Sequence, residues 1–156
     1  MNYRKIELNN SSKDKELDSL LVQIAKWHNI TPKLWISDYR VSNEDIEKTV
    51  QRINHIKNED LFLMIVENEQ SKIQGFIWAY KQEKPQDSVM ILSLYITESY
   101  RGRGLATNLK ILLEEWCQHE GIKTIQTTTH YTNHNMISLN QKLGYTPGMV
   151  NMTKNL

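Results

Sequence analysis

The chain has 156 residues, a formal net charge of +1, 24% charged and 39% apolar residues, which suits one ordinary globular domain. So balanced a charge supplies no bulk field for nucleic acid or an anionic membrane, no apolar run reaches the ~18 residues of a membrane span, and the short polar start does not read as a signal peptide. A lone cysteine, Cys117, excludes an intrachain disulfide and reads as a packed thiol, and the expected location is cytoplasmic.

Residues 3–8 alternate as a first strand, and the polar residues 9–13 break it. Residues 14–28 follow as a helix with Leu17, Leu20, Leu21, Ile24 and Trp27 on one stripe. Residues 29–40, with Pro32, Trp35 and Tyr39, form an irregular connection. Ser42 caps a second helix, with Asp45 at the third position of a capping box and Ile46, Val50, Ile53 and Ile56 on the buried face. Residues 61–66 and 72–82 are strands joined by a hairpin-like turn, the second interrupted at Gly75, where a bulge is expected.

Residues 89–96 are a continuous apolar run, the pattern of a buried strand. A short polar connection leads to Arg101-Gly102-Arg103-Gly104, which opens a helix with Leu105, Leu109, Leu112, Leu113 and Trp116 on one face and Gly121 at its end. A threonine-rich strand over 123–130 and a helix over 133–143 ended by Gly144 come next. Residues 145–156 would supply one or two closing strands. The order predicts a single α/β domain over 1–156, with a twisted mixed sheet of about six or seven strands flanked by about four helices.

A strand, a glycine-bearing turn and a helix N-terminus together make a phosphate-holding device. The first helical turn has N–H groups without intrahelical partners and carries the positive end of the dipole. Gly102 and Gly104 remove side chains that would keep a pyrophosphate off those groups, and Arg101 and Arg103 add charge beside them. A Walker-type loop needs Gly-Lys-Ser/Thr, which is absent, and a dinucleotide fingerprint needs a third glycine where Thr107 stands.

The stretch LYITESYRGRGLATNL resembles the acetyl-CoA signature of the GNAT N-acetyltransferases, with Gly102 and Gly104 on its two small positions and Ser99 where glutamine or arginine is usual. The stretch NHNMISLNQKLGYTP resembles the second motif of that family, which aligns Asn133, Met136, Lys142 and Tyr145 with it. The element order also matches the GNAT fold over nearly the whole chain.

The resemblance implies acetyl-CoA as acyl donor, and no metal is expected because no spacing among the five histidines and Cys117 makes a metal site. Its pyrophosphate would lie on Arg101, Gly102, Arg103, Gly104, Leu105, Ala106 and Thr107. Its pantetheine arm would lie along Leu94, Tyr95 and Ile96, with Asn133, Asn140 and Lys142 completing the cofactor site. Asn133 is equally a good helix cap. Asn140 stands where many members carry the tyrosine that protonates the leaving thiolate, and an amide has no proton to give near neutral pH. Where some members carry a glutamate base this chain has Thr128.

The catalytic candidates are therefore Asn140, His130 and Tyr131, while His28, His55, His119 and His134 have weaker claims. Trp27 and Trp78 read as core, and Trp35 and Tyr39 as acceptor-pocket residues. The expected activity is transfer of an acetyl group to a primary amine, on a small molecule or a peptide, by direct attack. The alternative is a catalytically impaired acyl-CoA-binding sensor. Neither nucleic acid nor membrane is an expected partner, and a homodimer is allowed.

Overall fold

The computed structural model describes residues 1–8 and 14–156; the polar break expected over 9–13 lies outside the described residues. In chain order the elements are β1 (Asn2–Lys5), α1 (Lys15–Ile30), a 3-10 turn (Thr31–Leu34), α2 (Asn43–Asn54), β2 (Leu61–Glu67) and β3 (Ile73–Lys81). Then follow β4 (Ser88–Ile96), a second 3-10 turn (Glu98–Tyr100), α3 (Leu105–His119), β5 (Thr124–Thr127) and α4 (His134–Lys142). No helix of the described residues is long and apolar enough to cross a membrane.

Local chemistry sets the helix boundaries. The Asp14 carboxylate accepts from the N–H groups of Glu16 and Leu17, opening α1. Ser42 and Asp45 form the capping box expected for α2. Gly121, at φ +70°, takes the left-handed position just past α3.

The strands form one mixed sheet in the order β1–β2–β3–β4–β5. The first three pairings are antiparallel and the last, β4 with β5, is parallel. This is the expected α/β architecture, with five strands and four α-helices among the described residues instead of six or seven strands. The difference lies at the C-terminal end. Residues 145–156 form no strand, and Met149, Val150, Met152 and Leu156 are exposed. Pro147 has no N–H to give a ladder. The strand expected over 123–130 is confined to Thr124–Thr127, because β5 parts from β4 beyond Ile91 and Thr127.

Two bulges shape the sheet. Val66 faces Gly75 but Glu67 faces Ile73, so Gln74 is extra in β3, one residue from the irregularity expected at Gly75. Trp78 faces Ser93 but Ala79 faces Ile91, so Leu92 is extra in β4. The second bulge sits one residue beyond the last β4–β5 pair, where the sheet begins to open.

Helices cover both faces. On one, Leu20, Leu21 and Ile24 of α1 and Ile53 of α2 pack on Leu63, Ile65, Phe76 and Trp78. On the other, Leu105, Leu109, Leu113 and Cys117 of α3 pack on Phe62, Ile77, Val89 and Ile91. Each such side chain, fully buried, contributes about 1.5–3 kcal/mol. Burial raises the Cys117 thiol to about 11, as befits a packed thiol. It also lowers the Lys110 ammonium to about 8, and that cation lies 4.6 Å over the Tyr145 ring.

Candidate active site

The cleft starts where β4 loses its neighbour. The Thr97 N–H donates to the Gln74 carbonyl at 2.8 Å. By the alternation of an antiparallel ladder, Tyr95 then turns its N–H and C=O toward β3, and Leu94 and Ile96 turn theirs to the open side. The Arg101 Nε donates to the Ile96 carbonyl at 3.0 Å, from that same open side. The second half of β4 is thus a strand edge inside the molecule.

At the end of this edge stands the N-terminus of α3. Gly102 and Gly104 have φ of +73° and +78°, and a Cβ on either would meet nothing within 4 Å. The left-handed turn requires glycine, and the space above it is open. Gly104 is the N-cap, no side chain caps the helix, and no acidic residue lies in its first turn. The other three α-helices are capped by the side chains of Asp14, Ser42 and Asn133. The N–H groups of Leu105, Ala106 and Thr107 are therefore left without an intrahelical acceptor, at the positive end of the dipole. The Arg103 guanidinium lies 4.7 Å over Tyr100 and that of Arg101 5.8 Å from the Tyr95 ring. Two tyrosines hold the two cations beside the loop.

The far wall comes from α4. Asn133 is its N-cap, accepting the Met136 N–H at 3.2 Å. Lys142 is exposed in its last turn. Asn140 is the buried residue of α4. Its Nδ2 donates to Thr129 Oγ1 at 3.4 Å, while Oδ1 has no partner among the described residues. Tyr145 points elsewhere: its ring packs with the α3 core, and burial and Glu114 raise its phenol.

The last turn of α1 and the chain after it cover the other face of the opening. The Trp27 ring stacks on Tyr95 at 5.1 Å and on Phe76 at 6.2 Å. The His28 ring meets Trp78 edge-on at 5.4 Å. Burial, then the Arg52 charge, lower the His28 pKa from 6.5. Trp78 is fully buried, with no acceptor for its Nε1–H among the described residues. Farther along, Trp35 stacks on His130 at 5.4 Å and 11° between planes, and His130 lies 4.8 Å from Tyr131.

Three of the sequence-predicted pocket and catalytic residues, Trp35, His130 and Tyr131, thus come together, although 95 positions separate the first two. Tyr39 is half-buried and stacks on no ring among the described residues. His130 Nδ1 accepts from the Thr132 N–H at 3.3 Å and lies 2.8 Å from its hydroxyl. A backbone N–H can only donate, so in the neutral ring Nε2 carries the proton. Thr128 is exposed. Trp27 and Trp78, read from sequence as core, belong to the core cluster on the α1 face of the sheet. A signal for His28 was present, since it follows Ile24 by four residues and so falls on the apolar stripe of α1. Among the described residues no group of three His, Cys, Asp or Glu is placed to hold a metal ion.

A mixed sheet opened between two parallel strands, with a glycine turn and an uncapped helix N-terminus beside the opening, defines an acetyltransferase fold. The family model described as the Acetyltransferase (GNAT) family matches residues 24–145, and the chain belongs to that family. It is 28% identical over 141 residues to the uncharacterized N-acetyltransferase YdgE of Bacillus subtilis, covering 86% of this chain and 87% of that one. A crystal structure described as a GNAT family acetyltransferase of Staphylococcus aureus matches with a TM-score of 0.65 at 28% identity, over 81% of this chain and 98% of that one. The structure of AAC(6')-Iy in complex with the bisubstrate analogue CoA-S-monomethyl-acetylneamine matches with a TM-score of 0.66 at 16% identity, over 99% of this chain and 97% of that one, a likeness of fold.

Proposed function

We propose that the protein transfers the acetyl group of acetyl-CoA to a primary amine by direct attack of the amine on the thioester. The observation that carries this is the α3 N-terminus, left uncapped over two left-handed glycines at the end of an open strand edge. That the AAC(6')-Iy fold was solved with a CoA bisubstrate analogue supports the same use of the cleft here. The pyrophosphate would take the N–H groups of Leu105 to Thr107, with Gly102 and Gly104 leaving room and Arg101 and Arg103 adding charge. The pantetheine arm would pair with Leu94 and Ile96 as an added strand, displacing the Arg101 side chain from the Ile96 carbonyl. Asn133 and Lys142 would flank its far side. The protein would act in the cytoplasm, with acetyl-CoA as its donor. Trp35, His130 and Tyr131 would wall the acceptor.

On this reading Asn140 would stand where many members carry the motif tyrosine, and transfer would proceed without that acid. Turning its amide by half a turn lets the Thr129 hydroxyl donate to Oδ1 and frees Nδ2 as a donor for the leaving sulfur. A hydrogen bond then stabilises the CoA thiolate where other members donate a proton. Asn140→Ala is expected to lower kcat about tenfold, the worth of one hydrogen bond to a charged group, and to leave the pH dependence of turnover unchanged. A new titration step in the variant would show that Asn140 does more than hold the sulfur. The function itself is tested by release of the CoA thiol in the presence of amines. Tight acetyl-CoA binding with no amine-dependent thiol release would point to the acyl-CoA sensor.

A further inference from the structure

We propose that His28, at the end of α1, is the base that takes the proton from the acceptor's ammonium group. This deepens the acetyl-transfer reading and rests on it. The residue is placed by the sheet. Trp78 and Ser93 are Cα partners across β3 and β4, so their side chains share a face. The bulged Leu92 adjoins Ser93, and the last β4–β5 pair is Ile91 with Thr127. His28 lies against Trp78 on that same face, and its neighbour Trp27 covers Tyr95. The ring therefore stands over the point where β4 leaves β5, which is where the edge offered to the pantetheine arm begins. The phosphate turn leads into α3, on the opposite face of the sheet. Donor and acceptor then approach from opposite sides, and His28 is on the acceptor's side.

Its chemical state fits. Neither ring nitrogen makes a hydrogen bond among the described residues, and the residue is only half-buried, so a ligand can reach it. The charged group that faces it is Arg52 of α2, which lies 5.6 Å over the Trp78 ring; no carboxylate perturbs it. Arg52 and burial both favour the neutral ring, so above pH 6.5 the imidazole is ready to accept a proton. The rival histidines are otherwise engaged or lie on the surface, His134 at the exposed start of α4. His130 has Nδ1 occupied by Thr132. The ring of His55 reaches back to the Gln51 carbonyl at 2.6 Å, and His119 is on the surface beside Glu120.

The step balances as follows. The bound ammonium passes one proton to His28, leaving a neutral amine and an imidazolium. The amine nitrogen forms a bond to the thioester carbon, and the carbon–sulfur bond then breaks. A second proton from that nitrogen goes to the CoA thiolate, giving the amide and CoA thiol. The imidazolium returns its proton to solvent.

The test is the pH dependence of thiol release from acetyl-CoA with benzylamine, glycinamide, spermidine and short peptides as acceptors. In the wild type, kcat should be nearly flat from pH 6.5 to 8.5, because the base is already neutral across that range. His28→Ala should lower kcat at pH 7 by about 100-fold. What remains should follow the free amine, rising about tenfold per pH unit below the acceptor's own pKa and levelling above it. Added imidazole should restore part of the loss, and His28→Gln should be slow without such rescue. Calorimetry should show acetyl-CoA affinity within about twofold of wild type in both variants, which would prove the fold and donor site intact. His119→Ala serves as the unaffected control. Wild-type transfer with His28→Ala reduced less than about threefold, or reduced without imidazole rescue or change of pH slope, would overturn this assignment alone. Absence of transfer by the wild type to every acceptor would overturn it together with the acetyl-transfer reading.

Discussion

Gly104→Glu is expected to weaken acetyl-CoA binding by about 100-fold or more, some 2.7 kcal/mol. The new carboxylate would stand at the N-cap of α3, in the open space above the first-turn N–H groups. The pyrophosphate would have to share that space with a like charge, an opposition worth several kcal/mol at close range. The fold should survive, because a Cβ at this position meets nothing within 4 Å. The left-handed φ of +78° still strains any other residue, by about 1–2 kcal/mol. Gly104→Ala carries that strain without the charge. Calorimetry on the pair separates the two effects, and Ala should lose less than about tenfold. Equal losses would mean that the turn geometry matters and the phosphate lies elsewhere; no loss in either would remove the phosphate from α3.

Gly75→Val should damage the fold and the open strand edge together. A Cβ there would stand 2.5 Å from the Tyr95 carbonyl oxygen and 2.5 Å from Ile96 Cδ1. The methyl of isoleucine can swing aside, but a backbone oxygen cannot move without the strand. Gly75 pairs with Ile96, beside the extra residue Gln74, so relief would push β4 away from β3. The cost is on the order of 3 kcal/mol, a fall in Tm of about 10 °C for a domain of this size. The strand that moves is also the open edge, so acetyl-CoA affinity should fall with stability. Thermal unfolding and calorimetry on the same preparation check both. A variant as stable as wild type would show that β3 and β4 are less tightly apposed than the Gly75–Ile96 pair implies.

Much of this could be read from the residues in order. The glycine turn that opens α3 was legible because glycine, charge and a change of period coincide within Arg101 to Leu105. The capping box of α2 was legible because Ser42 and Asp45 interact locally. What escaped was set by partners distant in the chain. The run 89–96 is apolar throughout, so it hides the bulge at Leu92, which only the register against β3 reveals. The stack of Trp35 on His130 joins two connections that sequence places in different halves. The closing strands expected over 145–156 depend in the same way on a partner strand, which a local stretch of sequence does not name. The place of His28 beside Trp78 was hidden for the same reason: its stripe on α1 is visible in sequence, but its neighbour on β3 is not.

The most direct measurement follows both products in one reaction. The protein is mixed with acetyl-CoA and a broad panel of amines and peptides between pH 6.5 and 8.5. Thiol release is recorded while mass spectrometry measures the acetylated acceptor and the intact protein. Direct transfer predicts one acetylamide for each thiol released, release that depends on the amine, and a protein that gains no acetyl group during turnover. Tight acetyl-CoA binding without amine-dependent thiol, or an acetylated protein that forms before the amide and decays into it, would contradict direct transfer.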